Sequence, residues 1–456
     1  MEIWEKIMLH KPRILIVSPG VEDSGSRGLG RVTVSLIDSL KDLGFDAFLL
    51  TGALIPDPRK RVRIQLQRKY LGYYLNDGLS FISSKTRLRQ KVILIIKDSL
   101  LLVMNRPTLV INEDILSNQS EPVVIRRFAN LKGYVNLTFF YQLCKKFPIS
   151  IRSIIIRRVA KSIGADIIIT ASPFAIRNNK LNKDLKIIQY IHDLMPLNIL
   201  ETPIDSGIWF ANEMIEAVES ADLVISSSKN AKNKLQQIMP RINTKVVYLS
   251  CELGDLEKVK NSEIIVGDSV SIRGDYMLFM SALEKRKNVV RLIKAYQLIA
   301  NNTKIKLVIA GSKGYGWDEI EACLQTLDKK TRKKIIIAGY VDENEKMQLI
   351  ARASMIIHPA IDEGLGIPVI EGMLARLPVV ATRLESLYEF IDESSVVLID
   401  DPYNVFEISD KIKYALKHLS KLNDMANKNY DQVFNIFSKD SFEARLKQAF
   451  EIVKLK

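Results

Sequence analysis

The sequence predicts an α/β protein built from two doubly wound domains with parallel sheets. The first observation is length, since 456 residues exceed what one ordinary hydrophobic core holds. The second is a series of short apolar, β-branched runs, and the third is the helical periodicity between most of them. Apolar strands that alternate with helices form βαβ units, in which helices cover both faces of a parallel sheet.

The second half of the chain shows this alternation most clearly. Strands are expected at 276–282, 304–311, 334–341, 353–360, 377–382 and 396–400. Segments such as "NVVRLIKAYQLIAN" and "NEKMQLIARA" lie between them with the apolar spacing of helices. Because parallel sheets bind ligands at the carboxyl ends of their strands, the segment that follows the strand at 353–360 is expected to line a ligand site.

The first half repeats the pattern with interruptions. Strands are expected at 13–20, 45–52, 165–172, 186–193, 221–228 and 245–250. Between the first two of these, a glycine loop is predicted to run into a helix that stops at Gly44.

The predicted domain boundaries follow from these patterns. An N-terminal domain is expected at 1–255, with a less regular and basic elaboration at about 54–150. A C-terminal domain is expected at 256–430, followed by a helix at 431–456 that packs back toward the first domain. The polar, aperiodic segment 251–275 is predicted to link the two domains.

The charge is unevenly distributed along the chain. Residues 1–250 hold 36 basic and 22 acidic residues, and this difference accounts for the whole net charge of +14. Within 51–200 the imbalance reaches 25 basic against 9 acidic residues. Such a surface suits an acidic partner, and nucleic acid, an anionic membrane and a phosphate-bearing substrate all fit. The alternative is a solvated basic face that serves solubility alone.

Cysteine usage and the N-terminus favour a cytoplasmic protein. Cys144, Cys251 and Cys323 are scattered without CxxC spacing, which argues against a disulfide framework and a zinc site. The N-terminus has early acidic residues and no apolar core, so no signal peptide is expected. The most apolar segment, "VILIIKDSLLLVMN", is too short and too charged to span a bilayer.

The stretch "DEGLGIPVIEGM" (362–373) combines features of an anion site. Pro368 is favourable in the first turn of a helix, which is predicted to begin near Ile367. Gly364 and Gly366 precede that helix and would let amide groups approach an anion at its positive end. Glu363 lies in the loop, and a second carboxylate follows about one turn into the helix. The alternative is an ordinary helix N-terminus whose acidic residues suit the helix dipole.

The pattern E-G-x-G-x-P-x-x-E resembles the paired-glutamate motif of family 4 glycosyltransferases. Four further segments resemble that family and occur in its order: "GSRGLGRV" (25–32), "YIHDLMPL" (190–197), "ALEKRKN" (282–288) and "AGYVDENEKMQLIARA" (338–353). The resemblance implies a GT-B fold, in which two Rossmann-like domains face each other across a cleft. It also implies a retaining enzyme of the type that builds bacterial polysaccharides.

The resemblance assigns roles near the reacting centre. Gly28 and Gly30 would approach the donor phosphates and the acceptor, and His192 would contact the donor sugar. Arg286 and Lys287 would hold the diphosphate, whose negative charge grows as the glycosidic bond breaks. From the residues alone, His192 is more typical of a buried core histidine. The alternative for the basic pair is a surface charge cluster, which is weakened because cations are unfavourable at a helix N-terminus unless an anion binds there.

The resemblance also assigns the residues that bind the donor. Glu371 would bond the ribose hydroxyls, and Glu363 would bond hydroxyls of the sugar ring. The backbone at Gly364, Leu365 and Gly366 would meet the diphosphate, and that at Gly339, Tyr340 and Val341 would frame the base. No metal and no cofactor are expected, because the cationic pair would take the place of a divalent ion.

The sequence departs from the family pattern in places that bear on the donor. Many relatives carry a glycine and then an arginine after the first strand of the second domain, where this chain has Ser281 and Ala282. Leu365 stands where a phenylalanine is usual. Lys285 occupies the usual proline position. The carboxylates and glycines remain, so the activity implied by the resemblance is unaffected while the identity of the donor stays open.

The expected function is transfer of a sugar from a nucleotide-diphosphate sugar to a saccharide or lipid-linked saccharide in surface polysaccharide synthesis. A cytoplasmic protein that binds the inner membrane face is expected, because basic residues attract anionic lipids. Aromatic residues at 134–141 would reach the interface, and binding would weaken with salt. Alternatives are a sugar-nucleotide epimerase, a non-catalytic partner subunit and, less well supported because no recognised module is present, a nucleic-acid-binding protein.

Overall fold

The computed structural model describes residues 11–19, 28–52, 108–111, 130–137, 140–144, 147–177, 184–194, 204–260, 265–266, 270–391 and 396–453. The basic stretches at 59–70 and 85–91 lie outside these ranges, as does the glycine segment at 20–27. Within the described ranges, no helix combines the length and the apolar character needed to cross a bilayer.

An eight-stranded sheet forms the first half of the fold. Its strands are β1 (Arg13–Val17), β2 (Asp46–Thr51), β3 (Thr108–Ile111), β4 (Gly133–Asn136), β5 (Ile167–Thr170), β6 (Lys186–Ile191), β7 (Leu223–Ser226) and β8 (Thr244–Val246). Their order is β3-β4-β2-β1-β5-β6-β7-β8. Strand β3 pairs antiparallel with β4, whereas β1, β2, β4, β5 and β6 pair in parallel. The order reverses between β1 and β5, which is the switch point of a doubly wound sheet.

Five described helices accompany this sheet. They are α1 (Gly28–Asp42), α2 (Phe140–Cys144), α3 (Ile149–Ser162), α4 (Ile204–Glu219) and α5 (Lys229–Ile238). The expected glycine loop is shorter than predicted, because Gly28 and Gly30 already lie in the first turn of α1. The helix ends at Asp42, just before Gly44 takes a positive φ of 86°.

A six-stranded parallel sheet forms the second half. Its strands are β11 (Tyr276–Met280), β12 (Lys306–Ala310), β13 (Ile335–Gly339), β14 (Met355–His358), β15 (Val379–Thr382) and β16 (Val397–Ile399). All six fall within the predicted segments. Their order is β13-β12-β11-β14-β15-β16, so the chain reverses direction between β11 and β14. Loops that leave the carboxyl ends of those two strands therefore flank the crevice where such sheets bind ligands.

Helices connect these strands and continue beyond them. They are α6 (Leu256–Lys260), α7 (Val289–Ile299), α8 (Trp317–Gln325), α9 (Lys329–Arg332), α10 (Glu343–Arg352), α11 (Ile367–Leu374), α12 (Val405–Lys417), α13 (Leu419–Phe437) and α14 (Lys439–Val453). The predicted linker is not structureless, because it contains α6 and the short antiparallel pair β9 (Ile265–Val266) and β10 (Val270–Ser271). The segment predicted as one helix at 431–456 is divided at Ser438 between α13 and α14.

The chain divides into two compact units, and each unit is made of more than one segment of the sequence. One unit comprises Met1–Tyr190, Asn212–Val224 and Phe450–Lys456, and the other comprises Ile191–Ala211 and Ile225–Ala449. The predicted domain boundaries near 255 and 430 remain predictions. Within the first unit, the ring of Phe450 from α14 lies 4.8 Å from that of Phe45, centroid to centroid.

Among the aromatic residues expected at a membrane interface, the described ones lie in a hydrophobic core. Tyr134, Phe140 and Tyr141 are almost fully buried in the core of the first unit. Tyr141 donates a hydrogen bond to the carbonyl of Leu50, which satisfies its hydroxyl inside the core. The prediction that these aromatic rings reach a lipid surface is therefore wrong, because burial in the core stabilises them more than exposure would.

A test of the second sheet uses Gly311, which follows β12 with a φ of 155°. A methyl group there would lie 1.7 Å from the carbonyl oxygen of Ser281, after the neighbouring strand β11. We expect Gly311→Ala to lower the free energy of unfolding by about 3 kcal/mol or more, because the two strand ends must separate.

The matched control is Gly274→Ala, whose added methyl group meets nothing within 4 Å although φ is 78°. It should lose only about 1 kcal/mol, the cost of a left-handed non-glycine residue. Urea denaturation followed by circular dichroism measures both variants, and equal losses would contradict the proposed clash.

Candidate active site

Two loops meet at the switch point of the second sheet. One contains a short 3₁₀ turn (Lys285–Lys287) after β11, and the other runs from β14 into α11. The amide of Ile361 donates to the carbonyl of Arg286 over 2.8 Å. The side chain of Asn288 donates to the carbonyl of Pro359 over 3.0 Å. These bonds hold the cationic turn against the carboxylate loop, as the strand order requires.

Glu363 is the centre of this meeting point. It is 9% exposed, and its Oε2 accepts hydrogen bonds from the Lys287 ammonium and, at 3.1 Å, from the Arg286 guanidinium. Its Oε1 lies 3.6 Å from Nε2 of His358, the last residue of β14. The structure thus brings together three of the predicted catalytic residues, Glu363, Arg286 and Lys287.

The surroundings of Glu363 favour its ionised form. Burial alone would raise the pKa of Glu363, but the Lys287 ammonium, the His358 ring and the Arg286 guanidinium hold the pKa well below its usual range. Because Lys287 is buried and pairs with this carboxylate, removing Glu363 would leave a buried ammonium without its counterion, at a cost of roughly 3–5 kcal/mol.

The two cations differ in access to solvent. Lys287 is only 4% exposed, so the interpretation of the pair as a surface charge cluster is wrong for this residue. The Arg286 side chain is 21% exposed and is shared, because its Nε also donates to Glu284 Oε2 over 2.9 Å. A ligand can therefore reach Arg286 more readily than Lys287. Without a ligand, both cations are balanced by carboxylates of the protein.

Helix α11 begins four residues after Glu363, at the end of the same loop. Gly366 caps the helix with a φ of 80°, and Ile367 and Pro368 form its first turn as predicted. A methyl group at Gly364 would lie 2.7 Å from Cβ of Asp193 and 3.0 Å from the carbonyl oxygen of His192. Glycine is therefore required at 364 by close packing, and Leu365 between the glycines is buried.

His192 follows β6 and lies against this loop. Its carbonyl oxygen accepts a hydrogen bond of 2.7 Å from the hydroxyl of Ser227 and also contacts Gly364. The His192 side chain is half-buried rather than enclosed in the core. The structure thus places it within the same unit as the paired glutamates, and its contact with a donor sugar stays a prediction.

Glu371 lies on α11 and is buried separately from Glu363. Its Oε1 accepts a hydrogen bond of 2.6 Å from the Lys346 ammonium, which also pairs with Glu343. Lys346 belongs to α10, the helix that follows the predicted base-framing segment. The two glutamates therefore have different cationic partners, so each can be changed without removing the partner of the other.

The segment predicted to frame a base ends β13. Gly339 is the last residue of that strand, and its carbonyl accepts a 2.7 Å hydrogen bond from the amide of Gly311. Tyr340 is 48% exposed, whereas Val341 is buried. This places an exposed aromatic ring at the carboxyl edge of the sheet, where two strands, β12 and β11, separate β13 from β14 and its Glu363 loop.

Sequence reasoning missed three residues that the structure places in this region. His358 and Lys346 are buried beside the glutamates, and Asn288 joins the two loops. A signal existed for Asn288, which ends the motif "ALEKRKN", and for His358, which lies in the predicted strand 353–360 directly before the carboxylate loop. Nothing in the helical pattern of "NEKMQLIARA" distinguishes Lys346 from a surface lysine.

Gly28 and Gly30 belong to the other unit, at the start of α1. The structure therefore does not group them with the residues around Glu363. Among the described residues, no three His, Cys, Asp or Glu side chains cluster in a way that could hold a metal ion.

Part of the chain is similar to known glycosyltransferases. Residues 271–432, a little over a third of the chain, match the family model described as Glycosyl transferases group 1. O-antigen chain mannosyltransferase B of Escherichia coli is 26% identical over 220 residues. Those residues are 47% of this chain and 57% of that relative, so the chain spans little more than half the length of this curated relative.

Solved structures share the fold. Sucrose-phosphate synthase of Thermosynechococcus elongatus superposes with a TM-score of 0.63 at 13% identity, covering 96% of this chain and 98% of the other. HepE of Anabaena in complex with UDP-glucose gives 0.60 at 14% identity, covering 96% and 99%. Together with the two doubly wound sheets, these likenesses confirm the predicted GT-B fold class.

The protonation of His358 is expected to make the free energy of unfolding depend on pH. Burial lowers the pKa of His358, so the folded protein resists its protonation while the unfolded chain takes up a proton near pH 6.5. Its contribution is therefore present above about pH 6.5 and lost as pH falls, by at most about 1.4 kcal/mol per pH unit. We expect His358→Gln to weaken this loss between pH 7 and pH 5.5.

Urea titrations at several pH values measure the slopes. The same slope in His358→Gln and wild type would contradict a buried neutral imidazole.

Proposed function

We propose that this chain is a retaining glycosyltransferase that moves a sugar from a nucleotide-diphosphate sugar to a saccharide or lipid-linked saccharide acceptor in surface polysaccharide synthesis. One observation carries the proposal. The buried cluster of Glu363, Arg286 and Lys287 lies at the switch point of a parallel sheet, within the residues that match a glycosyltransferase family model.

The negative charge of the departing nucleoside diphosphate would explain why two cations lie in this site. A nucleoside diphosphate gains negative charge as the bond to C1 breaks, and fixed cations stabilise that charge more than the charge of the bound donor. Arg286 is the accessible cation, and the amides at Gly364–Gly366 add the positive end of α11. The diphosphate would take over Arg286 from Glu284 and Glu363.

Glu363 then becomes an acceptor for the sugar. As an ionised carboxylate it accepts hydrogen bonds from ring hydroxyls, and Lys287 keeps it in place from the protein side. The side chain of His192 is the expected second contact to the sugar. This arrangement positions C1 between the sugar-binding carboxylate and the phosphate-binding cation.

The nucleotide contacts lie on the neighbouring elements. Glu371 would accept hydrogen bonds from the ribose hydroxyls, and Gly339, Tyr340 and Val341 would frame the base. The exposed ring of Tyr340 suits such a position because aromatic faces stack on bases.

Retention follows if the acceptor attacks from the face that the diphosphate leaves. The departing phosphate oxygen can then take the proton of the acceptor hydroxyl, and no separate base is needed. The sequence has no Asp-x-Asp pattern near a strand end, and the arginine and lysine would serve the purpose of a divalent ion. We therefore propose catalysis without a metal.

The relatives support the substrate class. O-antigen chain mannosyltransferase B is by its name a mannosyltransferase of a surface polysaccharide, and HepE was solved with UDP-glucose. A hexose donor and a saccharide acceptor agree with both. The base and the sugar stay open, as does the proposed association with the inner membrane face through the basic first half.

The test incubates the protein with UDP-, GDP- and dTDP-hexoses, with and without oligosaccharide acceptors, in excess EDTA. We expect one nucleoside diphosphate to be released only when acceptor is present. The anomeric configuration of the product, read by proton NMR coupling, should equal that of the donor.

Three outcomes would each contradict part of the proposal. Conversion of the donor without acceptor indicates an epimerase, and no consumption of any donor favours a non-catalytic subunit. Complete loss of activity in EDTA would contradict metal-free catalysis.

A further inference from the structure

Lys346 is a cation in an unusual place. It lies on α10 with only 4% of its surface exposed, and lysine is seldom buried unless its charge is paired. Its ammonium donates to Glu371 Oε1 over 2.6 Å and also pairs with Glu343. Nothing in the proposed reaction so far uses this ammonium group.

The two partners of Lys346 are not equivalent. Glu371 is buried to the same degree as Lys346, whereas the Glu343 side chain is 54% exposed. Water screens the exposed pair, and such pairs contribute little. The buried pair is held in low dielectric and is geometrically defined, so Glu371 is the partner whose orientation depends on Lys346.

Both ends of this pair are anchored. A capping box between Asp342 and Glu345 fixes the start of α10, and the Tyr276 hydroxyl donates to the carbonyl of Leu349 over 2.7 Å. Glu371 lies in the middle of α11 among buried neighbours. The ammonium therefore reaches the carboxylate from a rigid helix, which restricts the terminal torsion of Glu371.

We propose that Lys346 is a positioning residue that holds the Glu371 carboxylate ready to accept both ribose hydroxyls of the donor. The inference rests on the proposed function, which places the ribose at Glu371. It adds a selection for ribose over deoxyribose that depends on Lys346. A carboxylate has about four lone-pair sites, so it can bond the ammonium and a vicinal diol together.

The ion pair with Lys346 would preorganise the Glu371 carboxylate for the ribose diol. A carboxylate that already lies in its binding orientation loses less rotational freedom when the diol binds. Without the ammonium the side chain could rotate, and the site would lose affinity only for ligands that use the diol. A pair that merely joins α10 to α11 would affect all nucleotides equally.

The experiment uses UDP, GDP and dTDP, together with the 2′,3′-dideoxy analogues of UDP and GDP, and calorimetry on the full chain. Wild type should bind one ribonucleotide at least tenfold more tightly than its dideoxy analogue. Lys346→Met should weaken the ribonucleotide about tenfold and the dideoxy analogue less than twofold. In donor kinetics it should raise KM and leave kcat nearly unchanged.

Two further variants test whether the effect is specific to the pair of Lys346 and Glu371. Glu343→Gln removes the exposed partner of the same ammonium and should leave both affinities unchanged. Lys346→Arg keeps the charge with a different geometry and should give a ribose preference between those of wild type and Lys346→Met. If Lys346→Met does not fold, an unaltered ribose preference in Lys346→Arg overturns the inference.

The outcomes separate this inference from the function on which it rests. Equal weakening of both nucleotides by Lys346→Met, or no weakening, overturns the positioning role while the glycosyltransferase assignment stands. Wild type that binds only dTDP overturns the selection for ribose, and wild type that binds none of UDP, GDP and dTDP contradicts the nucleotide-sugar site itself.

Discussion

The burial of Glu363 among cations is the interaction on which the site depends. A carboxylate at this depth is stable only with partners, and Lys287 and Arg286 supply them from the loop after β11. That requirement explains why the two loops are bonded to each other through their backbones. The same bonds fix the orientation of Arg286, so the diphosphate of the proposed donor would meet a guanidinium that is already oriented.

The strand order places this cluster where chemistry is possible. Strands β11 and β14 are neighbours in the sheet although β12 and β13 separate them in the chain, so their loops converge at one edge. The second glutamate uses a different cation on a different helix. Two buried ion pairs, Glu363 with Lys287 and Glu371 with Lys346, thus lie at this edge; in the proposed function the first would serve the sugar phosphate and the second the ribose.

The sequence predicted the second sheet well because its strands are continuous apolar runs and its helices carry clear signals, such as the capping box at Asp342. It also identified Glu363 and the start of α11, since glycine and proline have strong local preferences there. It could not show that Lys346 is buried, because a lysine on an amphipathic helix is usually exposed. It misplaced Tyr134, Phe140 and Tyr141, because periodicity does not reveal which face of an irregular segment packs on the core; Phe139 lies outside the described residues.

The most direct measurement compares Arg286→Gln with Lys285→Gln in donor kinetics. Both residues are cations on one 3₁₀ turn, but Lys285 pairs with Glu319 and stacks on Tyr315, whereas Arg286 contacts Glu363. If Arg286 stabilises the departing diphosphate, its substitution lowers kcat/KM by roughly a hundredfold or more, and the Lys285 substitution lowers it less than about threefold. Equal losses in the two variants, or full activity in Arg286→Gln, would contradict the account.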